Sequence, residues 1–117
     1  MIAVIFEVLP YMGERHTYLD LAGELRSELE KTDGFISIER FESLTNRGKL
    51  LSLSFWRDEE AVKAWRNVEA HRAAQYAGRN GVFADYRLRI GYIVRDYGMN
   101  DRAQAPEDSK EVHDVAA

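Results

Sequence analysis

The order of apolar and polar residues predicts a strand and then a helix in the first part of the chain. Residues 2–9 form a nearly continuous apolar run that Pro10 closes, which is typical of a central strand buried on both faces. Apolar residues then recur at helical intervals, after a start at Thr17 and Asp20 that resembles a capping box and up to a stop at Gly34. The apolar positions of this helix are Tyr18, Leu21, Ala22, Leu25 and Leu29.

The rest of the pattern predicts a hairpin, a second helix and a last strand. Residues 35–44 and 49–56 have strand-like composition, and a turn that ends at Gly48 joins them. A second helix begins at Asp58, whose side chain can cap it, and runs until Gly78. In the last strand, apolar residues alternate with arginine and other residues; the apolar positions are Tyr86, Leu88, Ile90, Tyr92 and Val94.

The element order β-α-β-β-α-β predicts an α+β fold of the ferredoxin-like type. This plait is a four-stranded antiparallel sheet with two helices on one face. Because the first strand and the hairpin carry apolar residues on both faces, we expect the second face to pack on another copy of the chain, giving a homodimer. We also expect the arginines of the last strand to pair with Glu39 or Glu42 across strands.

Composition limits the domain organisation and the chemistry. The chain has 117 residues, 16 basic and 20 acidic side chains, a formal net charge of −4 and no cysteine. This length predicts one domain, over residues 1–99, followed by an acidic tail over residues 100–117 that we expect to be a flexible end or an arm laid on a partner. Without cysteine, disulfides, thiolate nucleophiles and iron–sulfur sites are excluded.

The same properties predict where the protein acts and what it does not bind. The apolar start is too short to cross a bilayer, and it lacks the basic region and cleavage site of a signal peptide. We therefore expect a cytoplasmic protein that does not enter membranes. The mildly acidic balance argues against nucleic acid as a partner, since non-specific binding to it requires a dense basic surface.

His71 is the histidine that lies within a patterned element far from the chain ends. At about 100° per residue it shares a stripe of the second helix with Ala64, Val68 and Gln75, and Asn67 lies one turn before it. An imidazole that faces the sheet can take a proton from a phenol near neutral pH or ligate haem iron. A histidine simply hydrogen-bonded between helix and sheet is an equally good interpretation.

Aromatic residues are the second candidate feature. Trp65, Tyr76 and Phe83 can form the wall of a pocket and hold a polycyclic ligand by stacking, although ordinary core or dimer-interface packing explains most such residues. The sequence has no phosphate-binding glycine loop, dinucleotide fingerprint, serine-hydrolase elbow or metal-ligand spacing. No metal site is therefore predicted.

Several blocks of the sequence occur together in a known family. The blocks LSFWRDEEA at 53–61, AWRNVEAHR at 64–72, DYR at 85–87 and RDYG at 95–98 resemble an antibiotic biosynthesis monooxygenase (ABM) domain over about residues 1–99. The resemblance implies a dimeric α+β barrel, in which two ferredoxin-like sheets pack face to face. It also implies oxidation of an electron-rich aromatic substrate, such as a quinol or anthrone, by dioxygen without any cofactor.

In that scheme the protein removes a phenolic or benzylic proton, and the resulting anion passes an electron to dioxygen. Transferred to this chain, the resemblance implies His71 as the base and Asn67 as an orienting amide. Trp65, Tyr76 and Phe83 would then contact the substrate. A base with a pKa near the working pH suits this chemistry.

Two other functions remain open at this point. Related dimeric barrels degrade haem with a helix histidine, a tryptophan of the second helix and an asparagine of the first strand. Trp65 and His71 resemble two of these residues, but the first strand has no asparagine and His71 follows Trp65 sooner than in those enzymes. The remaining alternative is a non-catalytic homodimer that binds a small hydrophobic ligand.

Overall fold

The computed structural model describes residues 1–75 and 81–113, and within this range it does not describe the side chains of residues 70–75. It contains a four-stranded antiparallel sheet in the order β2-β3-β1-β4 and three helices, so the predicted ferredoxin-like α+β fold is confirmed. In chain order the elements are β1 (Ile2–Pro10), α1 (Arg15–Lys31), β2 (Phe35–Glu42), β3 (Leu50–Trp56), α2 (Glu59–Gln75), β4 (Phe83–Tyr92) and α3 (Glu107–His113). No helix in these two ranges has the length and apolar character that crossing a membrane requires.

Two details near the helices differ from the sequence prediction. α1 begins before Thr17, and the residue at its N-cap position, Glu14, makes no side-chain capping bond, so the predicted capping box with Asp20 is wrong. The helix is started by its backbone instead, because the Tyr18 N–H donates to the Glu14 carbonyl at 3.0 Å. In the acidic tail, residues 107–113 form the short helix α3, which composition did not predict.

The strand register arranges the helix-facing side of the sheet in four rows. Side chains alternate between the two faces of a strand, so partners in the register share a face. From one end of the sheet to the other, the rows are Glu42, Leu50, Val8 and Tyr86 in the first; Arg40, Ser52, Phe6 and Leu88 in the second; Ile38, Ser54, Val4 and Ile90 in the third; and Phe35, Trp56, Ile2 and Tyr92 in the fourth.

The hydrophobic core under the helices is divided between the two outer rows. One cluster surrounds the fourth row and contains Ile2, Leu29, Trp56, Ala61 and Val62. The other surrounds the first row and contains Val8, Tyr18, Leu50 and Val82. The two clusters place the helices over the sheet and leave the second and third rows between them.

The start of α2 is fixed by a small polar network. Asp58 Oδ1 accepts the Ala61 N–H at 2.9 Å, which confirms the predicted cap. Arg57 pairs with Asp33 at 3.1 Å and with Asp58 at 3.0 Å, and its backbone N–H donates to the Gly34 carbonyl at 2.7 Å. The hydrogen bond from Arg57 lowers the pKa of Asp33, and the bond from the Ala61 N–H contributes most to lowering that of Asp58.

On the helix-free face, the charge pairing differs from the prediction. Arg89 lies 3.4 Å from Glu7 in the neighbouring strand β1, and Lys49 lies 3.1 Å from the same carboxylate. The expected pairing of Arg89 with Glu39 or Glu42 is wrong, because β4 and β2 are the opposite edges of the sheet. Glu42 pairs instead with Arg15 of α1 at 2.8 Å.

Candidate functional site

The second and third rows lie between the two core clusters, and we call this strip of the helix-facing side the central groove. Its floor residues are Arg40, Ser52, Phe6, Leu88, Ile38, Ser54, Val4 and Ile90. β3 contributes two buried serines to this strip, Ser52 and Ser54. Their neighbours are partly buried apolar residues: Val4 and Ile38 pack against the fourth-row cluster, and Phe6 packs against the first-row cluster.

The β4 side of the groove is apolar and accessible. Leu88 is 47% exposed and Ile90 is 42% exposed, although both lie on the helix-facing side of the sheet. Ordinary packing would bury such side chains beneath the helices. Every residue of β4 is exposed, so the helices leave this edge strand uncovered and its apolar side chains accessible.

Aromatic residues stand at the two ends of the groove. At the first-row end, the ring of Phe83 contacts those of Tyr18, Phe6 and Tyr86, with centroid distances of 5.7, 6.0 and 6.3 Å. At the fourth-row end, Trp56 contacts Trp65 with a centroid distance of 6.5 Å. Both ends can stack against a flat ligand.

A polar corner lies on the β2 side of the groove. The Arg40 Nε–H donates a long hydrogen bond of 3.5 Å to the Tyr18 hydroxyl, and the guanidinium carbon lies 6.0 Å from the Tyr18 ring centroid. Arg40 also faces Ser52 in the adjacent strand. The Ser54 hydroxyl in the next row accepts the Trp56 indole N–H at 2.9 Å.

Glu69 of α2 completes this corner. Desolvation by the surrounding protein raises the pKa of its carboxyl to about 6, and the charge of Arg40 acts in the opposite direction. The residue as a whole remains exposed, so its desolvation is partial. A carboxylate with a pKa close to neutrality can accept a proton from a substrate at physiological pH.

The structure places the residues predicted from the sequence as follows. Trp65 is half-buried and packs on the fourth-row cluster, and Phe83 is 38% exposed at the opposite end of the groove. Asn67 is on an exposed part of α2. His71 lies in α2, but its side chain is outside what the structure describes, and Tyr76 is outside the described residues altogether.

Sequence reasoning missed Arg40, Ser52 and Glu69 as site residues. For Ser52 the sequence holds a usable signal, since LLSLSFW alternates serine with larger apolar residues in a strand that is otherwise apolar. Glu69 also lies four residues after Trp65, on the same face of the helix. What the sequence does not reveal is that β2 and α2 bring Arg40 and Glu69 close enough to interact.

The Glu69→Gln substitution should remove the effect of a desolvated carboxylate on the free energy of unfolding, and this effect depends on pH. Because the folded-state pKa of Glu69 is raised, ionisation of its carboxyl destabilises the folded protein. This destabilisation is absent below pH 4.5, where the carboxyl is protonated in both states, and it increases as the pH rises through about 6. A rise of this size corresponds to about 2 kcal/mol when solvent is excluded, and we expect about half of that, roughly 1 kcal/mol, for this accessible side chain.

Thermal unfolding of both proteins between pH 4 and pH 8 tests this prediction. The glutamine variant is expected to match the original protein at pH 4 and to be more stable at pH 8. A constant difference across the range would show that Glu69 is not desolvated. Glu59→Gln, at the exposed first turn of α2, serves as the control.

The positions of the described histidine and acidic side chains limit how this protein could bind haem or a metal ion. His16 and His113 are both exposed and lie in α1 and α3, so neither is buried on the helix-facing side of the sheet. The described residues also contain no group of three or more histidine, aspartate or glutamate side chains that could hold a metal ion. A histidine ligand for haem iron would therefore have to be His71.

Comparison with known proteins gives one family. The family model described as "Antibiotic biosynthesis monooxygenase" matches residues 1–77. A protein of Pyricularia oryzae named jasmonate monooxygenase ABM is 44% identical over 118 residues, which cover 100% of this chain and 55% of that protein. The chain thus spans about half the length of this relative. An uncharacterized Bacillus subtilis protein, YqjZ, is 29% identical over 80% of this chain and 79% of its own length.

Solved structures share the fold at low sequence identity. The Rv0793 protein of Mycobacterium tuberculosis has a TM-score of 0.69 and 16% identity, covering 83% of this chain and 98% of that chain. The haem degrader MhuD of the same organism, solved with two haems in its active site, has a TM-score of 0.63 and 21% identity, covering 84% of this chain and 100% of that chain. At these identities the likeness is one of fold.

Proposed function

Since the chain belongs to the antibiotic biosynthesis monooxygenase family, we propose that it is a cofactor-independent monooxygenase whose substrate binds in the central groove. The observation that carries this proposal is the strip of sheet between the two core clusters, where accessible apolar side chains of β4 lie on the same face as the polar residues of β2. Small-molecule sites have this composition, with mostly apolar walls and a few polar groups that orient the ligand.

The substrate must readily form an electron-rich anion, because dioxygen accepts electrons slowly from neutral organic molecules. Quinols, anthrones and related phenols meet this condition after loss of one proton. For an anthrone, the methylene carbon loses two hydrogens and gains one oxygen atom, and the second oxygen atom leaves as water. The four electrons that reduce dioxygen then all come from the substrate, so no further reductant is required.

The name of the Pyricularia oryzae relative offers a second substrate class. A jasmonate is a small cyclic ketone that carries a carboxylate, and a ketone also forms an electron-rich anion when a base removes the proton next to its carbonyl group. Both classes therefore require a base beside an apolar space. A panel of possible substrates should include phenols and enolisable ketones.

We assign the base to His71 and the orienting amide to Asn67, with Trp65, Tyr76 and Phe83 as substrate contacts. An imidazole has its ordinary pKa near neutrality and can remove the proton as substrate binds. Glu69 is a second acceptor of the same proton, because its pKa is about 6. The two assignments make different predictions for single substitutions.

Oxygen uptake by the metal-stripped protein tests the proposed function. We expect uptake above the autoxidation rate with at least one hydroquinone, dihydroxynaphthalene, anthrone or cyclic ketone. Uptake that appears only after haem or flavin is added would contradict cofactor independence. A Soret band that depends on His71 and fades under reductant and oxygen would favour the haem-degrading alternative.

His71→Ala should lower the rate of oxygen uptake on the order of a hundredfold, the lower end of what a positioned base contributes. His16→Ala is the matched control, since His16 is exposed on α1. If Glu69 takes the proton instead, Glu69→Gln will lower the rate and His71→Ala will not. Far-ultraviolet circular dichroism confirms that each variant is folded.

We also propose that two chains form a homodimer through the helix-free face of the sheet. Ile5, Leu51, Leu53 and Phe55 lie on that face and are partly accessible in the single chain. Phe41 on the same face is 42% exposed. Light scattering at the mass of a single 13.5 kDa chain would contradict this proposal.

A further inference from the structure

Arg40 lies on the helix-facing side of the sheet and has no carboxylate partner among the described residues, whereas four other arginines do. Arg15, Arg26, Arg57 and Arg89 each pair with a carboxylate at 2.8–3.4 Å. Arg40 makes no ion pair within 4 Å with any described carboxylate, and its one described hydrogen bond goes from Nε to the Tyr18 hydroxyl. It is nevertheless half-buried, on the helix-facing side of the sheet.

A half-buried guanidinium without a counter-ion is suited to bind an anion. Nη1 and Nη2 form no hydrogen bond to any described residue. A guanidinium presents these two donors in a planar arrangement that matches both oxygens of a carboxylate. Tyr18, against which Arg40 lies, is 6% exposed and holds one side of the guanidinium in place.

The neighbours of Arg40 favour a ligand with an acidic group and an apolar ring. Its register partner is Ser52, which is 7% exposed, and the next residue in the row is the half-buried Phe6. Adjacent strands lie about 4.8 Å apart. An acid bound to Arg40 would therefore extend its ring along this row toward Phe6 and the accessible Leu88, within the central groove.

Among the described carboxylates, that of Glu69 interacts electrostatically with Arg40. This interaction is too weak for Glu69 to serve as the counter-ion of Arg40. It does not form an ion pair with Arg40, and its raised pKa shows that attraction to Arg40 does not compensate for desolvation. A ligand carboxylate that pairs closely with Arg40 would supply the missing counter-ion.

We propose that Arg40 binds the carboxylate of the substrate, so that the substrate class is an aromatic or alicyclic carboxylic acid rather than a neutral phenol. This inference rests on the proposed function, since it places the ligand in the same groove. Arg40 then determines specificity, and the base that starts the reaction is a separate residue.

The test compares an acid with its own methyl ester. We would measure binding of 1,4-dihydroxy-2-naphthoic acid and of methyl 1,4-dihydroxy-2-naphthoate without oxygen, by quenching of tryptophan fluorescence. The acid should bind more tightly by on the order of tenfold to a hundredfold, the range for a hydrogen-bonded charge. Arg40→Gln should remove this preference and leave ester binding within about threefold. Arg40→Lys should retain part of it, because lysine keeps the charge but not the planar pair of donors.

Arg26→Gln is the matched control, since Arg26 is exposed on α1 and pairs with Glu30. If Arg40→Gln weakens the binding of acid and ester equally, Arg40 has a structural role and the inference is overturned. The inference is also overturned if the original protein binds the acid no more tightly than the ester. Oxygen uptake separates this result from the proposed function. Uptake with 1,4-dihydroxynaphthalene but no preference for the acid contradicts only the role of Arg40. An Arg40-dependent preference without uptake of oxygen contradicts only the monooxygenase.

Discussion

Ser52→Leu is expected to lower kcat/KM for oxygen uptake by about a thousandfold or more, which corresponds to at least about 4 kcal/mol of lost transition-state binding. Ser52 lies in the middle of the groove floor, between the two core clusters. A leucine there would occupy the space that the substrate requires. Ser52 is 7% exposed, so the larger side chain must also displace its neighbours, at a cost of about 1–3 kcal/mol of stability.

Oxygen uptake and thermal unfolding together measure this effect. Ser27→Leu introduces the same side chain at an exposed position of α1 and should leave the activity unchanged. A Ser52→Leu protein that is folded and retains full activity would show that the substrate binds elsewhere. If Ser52→Leu loses both activity and folding, the smaller variant Ser52→Val separates the two effects. We expect it to fold and to show a partial decrease in kcat/KM.

Gly34→Ala is expected to destabilise the protein by about 3 kcal/mol. Gly34 has a φ of +88°, in the left-handed region that costs other residues roughly 1–2 kcal/mol. A β-carbon at this position would also lie 2.6 Å from the Ala61 β-carbon and 3.3 Å from Arg57 Nη2. Relief of that overlap would move the start of α2 away from the turn before β2, at a cost of about 1–3 kcal/mol.

Urea unfolding of the variant provides the measurement, and Gly23→Ala provides the control. Gly23 lies in α1, and a β-carbon there would meet nothing within 4 Å. This control should stabilise the protein by about 0.5–1 kcal/mol, because alanine favours a helix more than glycine does. If Gly34→Ala has the same stability as the original protein, the turn does not require a left-handed residue.

The sequence allowed the element order to be predicted because each element has a clear local period. The strand at residues 2–9, the cap at Asp58 and the alternation in β4 all depend on residues close together in the chain. The start of α1 was predicted less well, since Thr17 and Asp20 fit a capping box by spacing alone. The backbone around Glu14 starts the helix before them, and the spacing of side chains carries no signal for this.

The polar corner of the groove could not be predicted from local patterns. Arg40 and Glu69 lie 29 positions apart in the chain, and they interact because the packing of the helices on the sheet brings α2 toward β2. The partner of Arg89 was predicted wrongly for a related reason: strand order decides which charges can meet. His71, Asn67 and Tyr76 remain predictions that rest on the resemblance to the family.

A crystal structure of the protein with 1,4-dihydroxy-2-naphthoic acid, grown without oxygen, would test most directly whether the central groove is the substrate site. We expect the naphthalene ring to lie in the central groove, within about 4 Å of Phe6. The carboxylate should face Arg40, and the hydroxyl that loses its proton should face α2. A ligand on the helix-free face of the sheet, with the groove filled only by water, would contradict this assignment.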